Sequence, residues 1–154
     1  MGLVLRKAHS RDIVPMHTLI MTGAAKGLLL PRSRGQLFTA MRDFFVFADE
    51  ETGDVAGCCA LALIAENLAE VRSLFVSDKY RRQGLGGKLV QACLDDAVAY
   101  GITQVFTLTF ETAFFGSLNF MEVPKESLPQ KIWTDCIHCP KFPNCDEIAM
   151  IRSV

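Results

Sequence analysis

The stretch "YRRQGLGGKL" sets three glycines, Gly84, Gly86 and Gly87, among the cations Arg81, Arg82 and Lys88, where an apolar strand-like run gives way to a helix-like pattern. A helix N-terminus presents unpaired N–H groups and a partial positive charge, and glycines ahead of it let an anion approach the backbone. Phosphate is the natural guest of such a junction. Spacing rejects two phosphate-binding arrangements. A nucleotide P-loop needs glycine six positions before its lysine and serine or threonine after it, but Arg82 and Leu89 hold those places. The dinucleotide fingerprint needs a third glycine where Leu89 stands, and it usually opens the first βα unit of its domain rather than lying mid-chain.

A second cluster, "CIHCPKFPNC", supplies Cys136, Cys139 and Cys145 with His138 between them. Cys-x-x-Cys can open a zinc knuckle, but the second pair is missing and a fourth ligand would have to come from His138 or elsewhere. Free thiols, a local disulfide formed in air, or packing of a Pro-rich loop together outweigh a metal, and none is expected. Cys58 and Cys59 are strand neighbours pointing to opposite faces, and Cys93 lies on the apolar side of a helical pattern, so these three read as buried thiols. His9 and His17 fall outside any motif and read as structural or solvent-facing.

The elements that position the glycine loop follow from the patterning. Leu3–Ala8 reads as a strand, and Ser10 as the cap of a helix to about Lys26, with Pro15 tolerated near its first turns. Pro31 breaks the chain, and Ser33 caps a second helix ending near Met41. "FFVFADEETGDVAGCCALALI" reads as two strands around a turn at Thr52, Gly53 and Asp54, and Ala69–Val76 as a third. From Gly86 to Tyr100, Leu89, Val90, Cys93, Leu94, Ala97 and Val98 form a one-sided helical stripe that Gly101 stops. Gln104–Thr109 is a buried strand. A short helix over Thr112–Leu118, a strand over Met121–Pro124, a helix over Pro129–Cys136 and a strand over Asp146–Arg152 follow. The order predicts one α/β domain, 1–154, around a mixed, mostly antiparallel sheet flanked by helices.

Composition sets the outer limits. A chain of 154 residues suffices for one full core and is short for two. Half the residues are hydrophobic and 21% charged, which leaves little room for long disorder, and a net charge of -1 gives no sign of a nucleic-acid partner. The start "MGLVLRKAHS" has no signal-peptide core, and Arg6 stands where a myristoylation motif needs Ser or Thr. The longest apolar run, Gly57–Ala65, is about half of the roughly 20 residues a membrane span requires, so a soluble, cytoplasmic protein is expected.

Arg81, Gly84 and Gly86 match [Gln/Arg]-x-x-Gly-x-[Gly/Ala] between a strand and a helix. The chain thereby resembles the GCN5-related N-acetyltransferase (GNAT) family, in which this loop holds the pyrophosphate of acetyl-coenzyme A. "AEVRSLFVSDKYRRQGLGGKL", "LTFETAFFGSLNF" and "LPQKIWTDCIHCPKFPNCDEIAM" extend the likeness to the short bacterial N-acetylglutamate synthases, which open arginine biosynthesis. The likeness runs from "LLPRS" onward. It implies acetyl transfer from acetyl-CoA to the α-amino group of L-glutamate. Another acceptor (a different amino acid, a polyamine or a protein N-terminus) and a non-catalytic acyl-CoA sensor are the alternatives. A homodimer is the commonest oligomer to expect.

The resemblance assigns residues. Arg81, Arg82, Gln83, Gly84, Leu85, Gly86, Gly87 and Lys88 form the cofactor loop, and a backbone N–H near Phe75 or Val76 polarises the thioester. Glu70, at the start of the strand leading to the loop, is the candidate base that frees the amine, directly or through water. Arg32 and Arg72 are the candidate carboxylate partners, because guanidinium pairs carboxylate bidentately. Arg72 is two residues after Glu70 and so shares its strand face. The chain departs from the family in one place: "FFGSLNF" puts Phe115 at the usual general-acid tyrosine and Asn119 at a glycine. Phe114 and Phe115 are then expected to pack against the sheet or the pantetheine arm. A thiol of pKa about 8.5 still leaves tolerably as thiolate.

Overall fold

The computed structural model describes residues 2–128 and 147–154. Among them, seven strands, β1 (Leu3–Lys7), β2 (Phe44–Asp49), β3 (Val55–Ala65), β4 (Leu68–Val76), β5 (Gln104–Thr109), β6 (Met121–Val123) and β7 (Ile148–Ser153), are hydrogen-bonded in the order β1-β2-β3-β4-β5-β7-β6. The helices are α1 (Ile13–Ala25), α2 (Arg34–Thr39), α3 (Leu85–Ala99) and α4 (Thr112–Ser117). β1–β2, β2–β3, β5–β7 and β6–β7 pair antiparallel and β4–β5 parallel, which is the mixed, mostly antiparallel sheet expected. A parallel pair needs a crossover, and α3 supplies it. The expected helix over Pro129–Cys136 and the cysteine segment lie outside the described residues. No helix among the described residues is long and apolar enough to cross a membrane.

The residues gather into two compact bodies, Met1–Ala62 with Val71–Asp96, and Leu63–Glu70 with Ala97–Val154. In the first, the entry to α1 differs from the sequence expectation. Ser10 begins a 3-10 turn, Ser10–Asp12, and His9 occupies the cap position. The cap is closed by Asp12, whose carboxylate accepts from the His9 N–H at 2.6 Å and from the Arg6 guanidinium at 2.7 and 3.1 Å. Arg6 also donates to Glu50 at 3.0 Å. Burial alone would raise the Asp12 carboxyl, but the hydrogen bonds from Arg6 and His9 hold it below the usual carboxylate range. At α2 the expectation holds: Ser33 Oγ accepts from Gln36 N at 3.1 Å, and Gln36 Oε1 accepts from Ser33 N at 2.8 Å. The helix ends at Thr39 rather than Met41, which opens a further 3-10 turn, Met41–Asp43.

The β2–β3 turn organises itself. Asp49 Oδ1 accepts from Glu51 N at 2.9 Å and Thr52 N at 3.3 Å, the Asp49 carbonyl accepts from Gly53 N at 2.8 Å, and Gly53 sits at φ 80°. Met16, Ile20, Leu37, Val46, Cys58 and Phe75 are buried together in this body's core. The stripe on α3 is as expected for Leu89, Val90, Cys93, Leu94 and Ala97, whereas Val98 is 58% exposed. Close packing of α3 over β3 depends on Gly57, where an added Cβ would lie 3.1 Å from Leu89 Cδ1 and 3.3 Å from the Phe75 carbonyl.

In the second body β5 runs over the expected Gln104–Thr109 and pairs Glu70 with Phe106. Phe106 is fully buried in a cluster with Leu128 and Ala149, flanked by Leu68 and Leu108. Gly101, at φ 79°, closes α3 as expected: Ile102 N donates to the Ala97 carbonyl at 2.9 Å. Asn119 closes α4 the same way at φ 68°, with Phe120 N donating to the Phe115 carbonyl at 3.0 Å. The asparagine therefore fills the left-handed position that glycine holds in the family pattern, a conformation Asn tolerates better than most residues. Phe115 is buried and packs edge-on against Phe114 at 5.0 Å and Phe120 at 5.2 Å.

Candidate active site

The glycine loop has the shape its sequence requires. After a 3-10 turn, Asp78–Tyr80, the chain passes Arg81 in extended conformation, Arg82 at φ 67° and Gly84 at φ 73°, then enters α3 at Leu85. Two left-handed residues two apart turn the backbone so that the chain enters α3 sharply, and the first N–H groups of that helix have no intrahelical acceptor. Arg81, Arg82, Gln83, Gly84 and Lys88 are exposed, Gly86 and Gly87 half-buried. Leu85 is buried, so it offers the site its backbone and gives its side chain to the core. No atom stands within 4 Å of a Cβ built on Gly84 or Gly87, which leaves the loop open to an approaching ligand. Asp78 steadies the approach: its carboxylate takes Arg81 Nε at 2.8 Å and Lys26 Nζ at 3.3 Å, while the Arg81 guanidinium lies over the Phe75 ring. These exposed pairs orient side chains more than they stabilise the fold.

β4, which leads into the loop, carries a defect that sequence reasoning missed. Ser73 lies at φ 56°, a left-handed backbone in mid-strand. Such a residue breaks the strand's ladder and re-aims the groups around it. On β3, Cys58 fills the break. Its thiol donates to the Ser73 carbonyl at 3.4 Å, and the Phe75 N–H lies against its sulfur. Burial pushes the Cys58 thiol up to about 12, the Phe75 N–H easing it only partly, so the group is inert as a nucleophile. Cys59, 3.7 Å from Cys93 sulfur to sulfur, is raised as well, first by its hydrogen bond with Cys93 and then by burial. All three are free, buried thiols, as expected. Of the two N–H groups expected to meet a thioester, Phe75 thus already serves Cys58.

Beside this defect lies a cavity of about 210 Å³. Arg32, from the segment before α2, and Arg72, from β4, both line it, so the two arginines singled out in the sequence meet in one place. Gln36 of α2, Ser73 and Asp43 line it too. Asp43 was not foreseen: nothing in "MRDFF" distinguishes it, and the 3-10 turn that delivers it has no clear sequence signature. Its carboxyl is raised by burial, against the pull of Arg72 and Lys7 and with a small push from Asp96. Arg34 and Arg42, which no motif selected, are exposed.

Glu70 sits on β4 two positions before Arg72 and is 8% exposed. Residues directly opposite on adjacent strands face the same side, so Glu70 shares its side with the buried Phe106 ring. It is not among the residues lining the cavity. Cys136, His138, Cys139 and Cys145 lie outside the described residues. Among the described ones no group of three or more His, Cys, Asp or Glu side chains could hold a metal ion.

The chain is similar to known proteins. A family model described as acetyltransferase (GNAT) family matches residues 23–122. An uncharacterized N-acetyltransferase of Chlorobaculum tepidum is 40% identical over 150 residues, 97% of this chain and 96% of that protein. An amino-acid acetyltransferase of Mycobacterium tuberculosis is 33% identical over 121 residues, 78% of this chain and 69% of its own. The crystal structure of N-acetylglutamate synthase from Neisseria gonorrhoeae, complexed with coenzyme A and N-acetyl-glutamate, superposes with a TM-score of 0.85 at 26% identity. That match covers 99% of this chain but only 35% of the synthase.

Proposed function

The chain belongs to the acetyltransferase (GNAT) family with acetyl-CoA as co-substrate, and from that premise we propose that it acetylates the α-amino group of L-glutamate. The observation that carries the acceptor assignment is the meeting of Arg32 and Arg72 in one small cavity. Two guanidiniums match two carboxylates, each able to accept a bidentate pair. The same reading places the reaction at the head of arginine biosynthesis, in the cytoplasm.

The residues then divide the work. Backbone N–H groups of Leu85, Gly86 and Gly87, with Arg81, Arg82, Gln83, Gly84 and Lys88 around them, hold the pyrophosphate at the start of α3. On β4 the Val76 N–H polarises the thioester carbonyl, with Phe75 partly committed to Cys58. Glu70 receives the proton that the ammonium must lose, directly or through water. The nitrogen lone pair then forms the new C–N bond, the nitrogen gives up its second proton to solvent as the C–S bond breaks, and the sulfur leaves as thiolate to be protonated by solvent, because Phe115 has no proton to give.

Steady-state kinetics on glutamate, glutamine, aspartate and spermidine test the assignment, with wild type, Arg32→Ala and Arg72→Ala. A charge-assisted hydrogen bond is worth about 1.5–3 kcal/mol, so glutamine should lose at least tenfold in kcat/KM. Arg72→Ala should raise KM for glutamate far more than for acetyl-CoA, and Arg72→Lys should recover it only in part. Equal efficiency on glutamate and glutamine, or a preference for spermidine, would overturn glutamate and leave the family unaffected. Absence of thiol release with every amine would favour a non-catalytic acyl-CoA sensor.

A further inference from the structure

The arginine cavity also contains a carboxylate, and that acid changes what the cavity recognises. Asp43 ends the 3-10 turn Met41–Asp43 and lines the same wall-to-wall space as Arg32 and Arg72. Its backbone is fixed, with Asp43 N donating to the Ala40 carbonyl at 2.9 Å. Three charged groups face the carboxylate from other elements: Arg72 on β4, Lys7 on β1 and Asp96 on α3. None of them acts on it through a hydrogen bond; burial raises its carboxyl and the charges act at a distance. This half-buried carboxylate has given up part of its water and, among the described residues, takes no hydrogen-bond donor in exchange, a cost that a cationic donor in the cavity would relieve.

Among the described residues, two guanidiniums and one carboxylate line the cavity, in the pattern plus, plus, minus. A pair of arginines alone would favour any dicarboxylate. With Asp43 present, the complementary ligand has two carboxylates and one ammonium. We propose that Asp43 is a specificity-determining residue of the acceptor cavity, receiving the acceptor's ammonium and so selecting an acidic amino acid over a dicarboxylic acid of the same length. This rests on the cavity's being the acceptor site of the proposed reaction. Asp43 acts on arrival, lowering KM for the protonated form that dominates at neutral pH; the proton is surrendered afterwards to the base.

The test compares L-glutamate with glutarate, which keeps both carboxylates and lacks the amine. Calorimetric titrations at neutral pH, with the protein saturated with coenzyme A, measure both ligands on wild type and Asp43→Asn. Wild type should bind glutamate at least tenfold more tightly than glutarate. Asp43→Asn should weaken glutamate tenfold or more and leave glutarate unchanged or tighter, because the cavity has lost the negative charge of Asp43. A loss confined to glutamate is the signature, since a merely structural loss would weaken both. Parallel weakening of both ligands, or a wild type that prefers glutarate, overturns the role of Asp43 while leaving the acceptor assignment intact. The wild-type comparison decides the matter even if Asp43→Asn fails to fold. A wild type that binds neither ligand overturns the acceptor reading and this inference with it.

Discussion

The Cys58 thiol donates to the Ser73 carbonyl across 3.4 Å while the Phe75 N–H lies against the same sulfur. A left-handed residue in mid-strand breaks the regular ladder, and buried N–H and C=O groups that lose a partner cost free energy. One side chain of the neighbouring strand fills the gap from both sides. Cys58→Ala should therefore destabilise the protein by about 1–3 kcal/mol, the cost of a buried polar group left unpaired, and Cys58→Ser by less because its hydroxyl can still donate. Urea denaturation of the three proteins checks the order; equal loss in both variants would mean that volume, not hydrogen bonding, is what Cys58 supplies.

Gly84 holds φ 73° in the loop that enters α3. A branched side chain is strained in that conformation and would stand over the N–H groups proposed to meet the pyrophosphate. Gly84→Val should weaken coenzyme A binding at least tenfold by titration calorimetry with the fold retained by circular dichroism. Gly86→Val should do likewise, here by bulk beside the helix N-terminus. Unchanged affinity in either folded variant removes that position from the cofactor site.

Glu70→Gln keeps the shape of a buried side chain and removes its ability to take a proton. The turnover number should fall by about 10²–10⁴, the usual worth of a positioned base, with cofactor affinity little changed. The acidic limb of the pH–rate profile should go with it. A profile matching wild type from weakly acidic to alkaline pH would show that water alone, or another group, accepts the proton.

Arg6 and Asp12 form a bidentate pair in which Asp12 is only 3% exposed. Removing one partner strands the other, so Arg6→Met should cost about 3–5 kcal/mol, the range for a broken buried pair. The pH dependence has a definite sign. Because the folded Asp12 carboxyl lies below its usual value, its stabilisation is complete above the unfolded pKa and disappears as pH falls through the folded one. Thermal melts of wild type should therefore lose stability on acidification below about pH 4, and the variant should lose less of it there.

Asn119 at φ 68° predicts a small, ordered series. Asn119→Gly should leave the melting temperature unchanged or slightly higher. Asn119→Ala should lower stability by up to about 1 kcal/mol, because alanine keeps the Cβ that crowds the left-handed region and loses the short polar side chain that lets asparagine tolerate it. A melting temperature for alanine equal to that of asparagine would mean that the α4 terminus relaxes rather than strains.

What the sequence made legible was local. The ends of β5, the Ser33–Gln36 cap and the Gly101 stop were all readable because each is set by residues a few positions apart. The loop motif was readable because its chemistry imposes spacing. Arg32 and Arg72 were selected by resemblance, and only the fold brings them into one cavity. Three features stayed hidden. Ser73 reads as an ordinary strand residue, and only the fold shows its left-handed backbone beside Cys58 of β3. His9 displaced Ser10 at the cap because Asp12, locked by Arg6, offers the stronger acceptor. Asp43 acquires meaning only from cations that arrive from β1 and β4.

The turn between β2 and β3 bears on the order in which the molecule assembles. Because the Asp49 carboxylate and carbonyl collect the N–H groups of Glu51, Thr52 and Gly53, this hairpin can form without waiting for any distant partner. Hairpins close in about 1–10 μs. The parallel seam between β4 and β5 cannot, since Leu68 must find Gln104 across the whole of α3 and the chain entropy of that loop is spent before the pairing returns anything. A refolding chain is thus expected to make its hairpin before it covers the β4 edge. In that interval an open strand edge can pair with one from another copy, so the yield of native protein on refolding should fall steeply with concentration while the rate of early hairpin formation does not.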